Sequence, residues 1–221
     1  MRSKLKVVLF DLDGTLIDSA QDLGAAAEKM RAARNLPPLG LGAYRRMAGA
    51  GARGMLGIAL GVAPESPDYE ALKEEFLANY EEAMTVHTQV FDGVTAVLTG
   101  LATRGLTWGI VTNKAERFTL PLVQALPALS ANAVVVGGDT TPFAKPHPAP
   151  LLEAARRLGV VPGQCLYVGD DERDVVAGHA AGMQTVAAQY GYLGAAADTR
   201  DWGADFLIDN PHTLLNILDV A

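Results

Sequence analysis

The sequence of 221 residues predicts an α/β fold, a doubly wound, Rossmann-like parallel sheet interrupted once by an all-helical insert. Three observations predict it. Short apolar runs such as Val7-Val8-Leu9-Phe10 recur without polar alternation, the pattern of strands buried on both faces. Stretches of helical periodicity lie between them. Residues 19–86 hold no strand candidate and read as helices throughout.

After the first strand at 7–10, apolar runs cover residues 107–111, 133–136, 165–168, 184–187 and 206–208. Helical patterns follow or precede them at 93–104, 115–126, 148–158, 172–181 and 211–219. Parallel neighbours joined by helices need right-handed crossovers, which cover both faces of the sheet. The insert divides into helices expected over 20–34, 41–48, 52–60 and 68–86, punctuated by Pro37-Pro38 and by Pro64 and Pro67. In the last of these, Leu72, Phe76, Tyr80 and Ala83 share a face while Glu74, Glu75, Glu81 and Glu82 point elsewhere, so the helix is amphipathic. The expected organisation is a core of residues 1–18 and 87–221 with a helical cap of residues 19–86. A cap entered after the first strand sits above the strand C-termini, where open α/β sheets bind ligands.

Composition narrows the function. One cysteine, Cys165, cannot pair within the chain, and four scattered histidines give no zinc spacing. A net charge of -7 with no basic stripe argues against a nucleic-acid partner. The positive-then-apolar start, MRSKLKVVLF, has the look of a leader, but its apolar run is too short and Asp11, Asp13 and Asp18 follow at once. No apolar stretch reaches the ~18 residues of a membrane span, so the expectation is a cytoplasmic protein with no membrane partner, a monomer or a homodimer.

Four strands in succession end in groups able to do chemistry. Asp11 and Asp13 follow the first. Thr112-Asn113-Lys114 ends the strand at 107–111, and Lys145 lies in the loop after 133–136, flanked by Pro146 and Pro148. Gly169-Asp170-Asp171 ends the strand at 165–168, and Asp174 falls one turn into the next helix, on the same face as Asp170. Any one of these is satisfied by a solvated turn, as Asp13-Gly14 would be; four at one sheet edge are not. Converging carboxylates need a cation, and an all-oxygen set suits Mg²⁺. One carboxylate can attack phosphorus and a second can move the proton, while Lys145 and the Thr112 hydroxyl offset charge on the transferring oxygens.

The segments DLDGTLIDS, VTNK, AKPHP and VGDDERD, in that order and on those strands, resemble the four motifs of the haloacid dehalogenase-like phosphatase superfamily. The resemblance implies a phosphoric monoester hydrolase with Asp11 as nucleophile and Asp13 as general acid and base. It implies that Thr112 and Lys145 bind the phosphoryl group, with Asn113 beside them as a substrate-binding residue. Asp170 would complete the Mg²⁺ site with Asp11 and the backbone carbonyl of Asp13, and Asp174 would hold a metal-bound water or Lys145. Dehalogenases of the superfamily lack the second aspartate, because halide leaves without a proton; Asp13 therefore points to phosphate esters. The helical insert resembles that of the phosphoglycolate phosphatase branch. The segments GAGARGM, WGIVTNKAERF, QYGY and DWGAD are similar to bacterial N-acetylmuramic acid 6-phosphate phosphatases.

These readings imply a small carboxylated phosphomonoester as substrate, 2-phosphoglycolate or N-acetylmuramic acid 6-phosphate. A sugar-phosphate mutase would keep the same core, and a phosphoaspartate signalling module would share the strand-end acids and the lysine but not the cap. In the insert, Gly49-Ala50-Gly51-Ala52-Arg53-Gly54 could bring backbone N–H groups and the Arg53 guanidinium to a carboxylate, or could equally be a hinge with Arg53 in solvent. Arg45 and Arg46 read as surface charges, Cys165 and Trp108 as core, and His147 either lines the site or steadies its loop.

Overall fold

The computed structural model describes residues 4–193 and 198–218. The last position of the helix expected at 211–219 lies outside them. Strands β1 (Val7–Phe10), β4 (Thr107–Val111), β5 (Val135–Val136), β6 (Cys165–Gly169), β7 (Gln184–Ala188) and β8 (Phe206–Ile208) form one parallel sheet in the order β5-β4-β1-β6-β7-β8. Strand β1 lies between β4 and β6, with Phe10 opposite Ile110 on one side and Val168 on the other. This register brings the C-terminal ends of β5, β4, β1 and β6 side by side.

Strands β1, β4 and β6 each feed two cores because successive side chains alternate faces. Val7, Leu9, Val111 and Tyr167 face helices α6 (Ala149–Leu158) and α7 (Glu172–Ala180), where Leu151, Ala154 and Ala177 complete a smaller cluster. Val8, Phe10, Ile110, Leu166 and Val168 face the opposite way, toward α4 (Val94–Thr103), α5 (Glu116–Ala125) and α8 (Thr213–Leu218). Gly109 in β4 leaves room for Val134; a Cβ there would strike the Val134 side chain.

The larger cluster runs on into the helical block without a break. Helices α1 (Ala20–Ala33), α2 (Gly51–Leu60) and α3 (Tyr69–Ala83) contribute Leu23, Met30, Met55, Leu56, Phe76 and Tyr80 to it. Arg31 fastens α1 to the C-terminus of α2 by donating to the carbonyls of Ala59 and Pro37. Asp22, buried in the first turn of α1, accepts from the backbone N–H groups of His87 and Thr88 and from the Thr88 hydroxyl, tying the start of the block to its exit.

Two features depart from the sequence expectation. The helix expected at 41–48 is instead two 3-10 segments, Leu41–Ala43 and Arg45–Ala50. Gly40 and Gly51 both adopt positive φ at its ends, which isolates the stretch from its neighbours. The block is also framed by an antiparallel pair, β2 (Ile17–Asp18) and β3 (Gln89–Val90), too short for any periodic signal. No helix among the described residues is long and apolar enough to cross a membrane.

Candidate active site

A cavity of about 340 Å³ opens where the helical block faces the strand ends, within the size range of small-molecule sites. The sheet supplies Asp11, Asp13, Thr112, Asn113, Lys114, Lys145, Asp170, Asp171, Arg173 and Asp174; the block supplies Leu23, Phe76, Leu77, Tyr80, Lys73 and residues 48–52. The four strand ends singled out in the sequence therefore meet in one place.

Lys145 is buried between two carboxylates, with Nζ 3.0 Å from Asp11 and 2.7 Å from Asp174. It also donates to the Tyr167 hydroxyl and to the Val111 carbonyl. Burial alone would lower its pKa, but the facing Asp11 and Asp174 outweigh that and hold it above the ordinary lysine range. Asn113 positions this lysine: its amide accepts from the Lys145 N–H and donates to the Lys145 carbonyl, both at 2.9 Å. The Asn113 side-chain amide is thus engaged at both ends, which leaves the backbone as the part of Asn113 open to a substrate. Thr112 is buried at the end of β4 and accepts from the Lys114 N–H at 3.2 Å, so its own O–H points its proton elsewhere.

Asp11 and Asp13 have separate surroundings. Asp11 faces Lys145, and its Oδ1 accepts from the Leu12 N–H. Asp13 pairs with Lys114 at 3.3 Å and accepts from the Ser19 hydroxyl. Lys114 also touches the Tyr80 hydroxyl of α3, and Asp13 and Tyr80 raise its pKa against the lowering effect of burial. Ser19 is held in turn by the Tyr192 hydroxyl, which accepts from its backbone N–H at 2.8 Å.

The carboxylates of Asp11, Asp170 and Asp174 lie within 4.8 Å of one another. Asp170 is buried under two glycines: a Cβ at Gly14 or at Gly191 would land inside its carboxylate. It accepts from the Thr15 hydroxyl at 3.0 Å and from the Tyr192 N–H at 2.8 Å. Burial, then the Asp11 and Asp174 charges, push its pKa well above the usual carboxylate range. Burial raises Asp174 as well, opposed by Lys145. Three like charges this close, all oxygen donors, fit a small divalent cation that would relieve the repulsion. The Asp13 carboxylate is turned to Lys114 and Ser19, so any hold it has on a cation falls to its backbone carbonyl. Asp171 is distinct from Asp170: it caps α7 through the Arg173 N–H and grips the Arg173 guanidinium at 2.8 Å.

Of the two places left open for Arg53, the structure has the one in solvent. Arg53 is exposed on α2 and absent from the cavity wall, which takes Ala48 to Ala52 instead. Gly54, Met55, Leu56 and Ala59 are the buried face of that helix, and Arg53 falls outside it. Arg45 is more than a surface charge, pairing with Asp18 at 2.6 Å and lying 5.4 Å from the Tyr192 ring centre. His147 steadies its own loop, accepting from the Ala149 N–H and packing on Phe143. Cys165 is core, its thiol pushed up to about 11 by burial. The residues missed in the sequence are Lys114, Tyr167, Arg173 and Lys73. Lys114 stood in VTNK and Arg173 in VGDDERD, but the Asp13 and Tyr80 partners of Lys114 and the Gly49 carbonyl that Arg173 reaches lie far away in the chain.

Residues 8–188 match the family described as haloacid dehalogenase-like hydrolase. An N-acetylmuramic acid 6-phosphate phosphatase from Pseudomonas aeruginosa is 42% identical over 220 residues, covering 100% of this chain and 97% of that protein. A phosphoglycolate phosphatase from Xanthomonas campestris is 46% identical over 209 residues, covering 95% and 94%. Among solved structures, one described as a predicted phosphoglycolate phosphatase from Haemophilus somnus superposes with a TM-score of 0.84 at 27% identity, covering 98% of this chain and 99% of that one. With its strand-end acids gathered at one edge and these matches along its length, the chain belongs to the haloacid dehalogenase-like hydrolase family, as an enzyme of the phosphatase kind.

Proposed function

We propose that the protein is a Mg²⁺-dependent phosphomonoesterase working through an aspartyl-phosphate on Asp11. Its substrate is a small carboxylated phosphate ester, 2-phosphoglycolate or N-acetylmuramic acid 6-phosphate, as the names of its relatives suggest. The observation that carries the reading is the division of labour between Asp11 and Asp13, two carboxylates two residues apart with different lysines and different neighbours. The helical block acts as a cap over the site.

In the first half-reaction an Asp11 oxygen attacks phosphorus as the bond to the ester oxygen breaks. Asp13 gives its proton to the departing alkoxide. Lys145 and the Thr112 hydroxyl face the charge on the transferring oxygens, and Asp174 with Tyr167 keeps the Lys145 ammonium in position. In the second half-reaction Asp13 takes a proton from water, whose oxygen attacks phosphorus and releases Asp11. Asp11, Asp170 and the Asp13 carbonyl would hold Mg²⁺, which supplies charge neutralisation at the phosphoryl oxygens.

The test is phosphate release from a panel of esters: 2-phosphoglycolate, N-acetylmuramic acid 6-phosphate, N-acetylglucosamine 6-phosphate, a hexose 1-phosphate and p-nitrophenyl phosphate. Free phosphate, fastest from a carboxylated ester, is expected. An isomerised hexose phosphate in place of free phosphate would overturn hydrolysis in favour of a mutase.

A further inference from the structure

We propose that Lys73 is the specificity-determining cation of this site, holding a carboxylate of the substrate at the end of the cavity away from phosphorus. The inference rests on the phosphatase reading above and deepens it. Three of the four cations lining the cavity are committed to its own acids. Lys145 serves Asp11 and Asp174, Lys114 serves Asp13, and Arg173 is forked onto Asp171 while also donating to the Gly49 carbonyl. Lys73 is the exception and the one charged residue that α3 brings to the wall. Its partner is Glu70, one turn back on the same helix at 3.0 Å, whose side chain is 76% exposed. An exposed pair of that kind is weak, so a substrate carboxylate can replace Glu70.

Position on the helix sets a ruler. Lys73, Phe76, Leu77 and Tyr80 share one face of α3 by their spacing of three, four and seven. Tyr80 ends that face against Lys114 and thereby against the Asp13 pair. Seven residues of helix advance about 10 Å, and because both side chains lean the same way, toward the N-terminus, that separation carries over to the Lys73 ammonium and the Tyr80 hydroxyl. The carboxyl carbon of 2-phosphoglycolate is three bonds from phosphorus, about 4 Å at most. In a 6-phosphorylated sugar bearing an acid on an ether at its third carbon, the separation is eight bonds, about 9 Å when extended. The spacing therefore selects an acidic sugar phosphate over a two-carbon acid. Phe76 and Leu77 on the same face would pack its apolar edge and dry the ion pair.

The experiment compares kcat and KM on N-acetylmuramic acid 6-phosphate with N-acetylglucosamine 6-phosphate, the same sugar without the acidic ether, for wild type, Lys73→Ala, Lys73→Gln and Lys73→Arg. Thermal melting checks that each variant is folded. Lys73→Ala and Lys73→Gln should raise KM on the acidic sugar by about 10-fold or more, with kcat changed far less. The loss on the plain sugar should be several-fold smaller, and Lys73→Arg should recover most of the discrimination. Equal losses on both sugars, or none on either, overturn the assignment to Lys73. Wild type that hydrolyses 2-phosphoglycolate but neither sugar overturns the ruler and leaves the phosphatase reading standing; no phosphate from any ester overturns that reading itself.

Discussion

On the sheet side of the cavity the charged groups are buried and matched, Lys145 with Asp11 and Asp174, Lys114 with Asp13. On the helical side the wall is Leu23, Phe76, Leu77 and the small residues 48–52, with Lys73 the single charge. The sheet side is held by strand register and by paired carboxylates whose removal leaves a buried ion uncompensated. The helical side is held by apolar packing and by the 3-10 turn of Arg45–Ala50. The proposed chemistry thus lies where strand register and buried ion pairs constrain the backbone, and the proposed choice of substrate lies on the apolar helical face.

This contrast can be broken most sharply at Asp11. Asp11→Asn keeps the packing at the end of β1 but cannot form the acyl-phosphate, so kcat should fall by a factor on the order of 10⁴ with melting little changed. More than about a tenth of the rate remaining, measured by phosphate release, would remove Asp11 from the role of nucleophile. Excess EDTA should abolish turnover to a similar degree, and Mg²⁺ should restore it better than Ca²⁺, whose larger coordination shell fits this small all-oxygen site less tightly. Full activity in the chelator would contradict the cation site.

Gly14→Ala should come next. Gly14 has φ of 83°, and a Cβ there enters the Asp170 carboxylate. Stability should drop by about 2 kcal/mol or more in a denaturant titration, and displacement of Asp170 should cost about 100-fold in kcat. The smallest effect is expected on the helical side. Arg53→Ala should change kcat and KM by less than about 2-fold on carboxylated and plain esters alike, as surface substitutions do. A selective loss on the carboxylated esters would return Arg53 to the site and sharpen the contrast differently.

What could be read in the sequence follows the same divide. The apolar runs of β1, β4 and β6 announce buried parallel strands because no polar residue interrupts them, and the acids and Thr112 stand at their ends. Periodicity locates α3, yet Lys73 there looks like part of a charged outer face until the cavity beside it is seen. Arg53 stood open between site and solvent because of its neighbours: Gly49 and Gly51 do line the cavity, while helical phase turns the arginine away. Lys114 and Tyr80 meet only because α3 lies over the end of β4, a juxtaposition no local pattern carries. The β2–β3 pair was invisible for its shortness.

That pair changes what the helical block is to the rest of the chain. With Ile17 opposite Val90 and Asp18 opposite Gln89, the polypeptide leaves and returns through adjacent positions. From the sheet's viewpoint, residues 19–88 are the tip of a hairpin. The exit and entry of the chain are thereby held in fixed register at the rim of the reaction centre, while the core the block shares with the sheet makes that hairpin tip part of one folded unit.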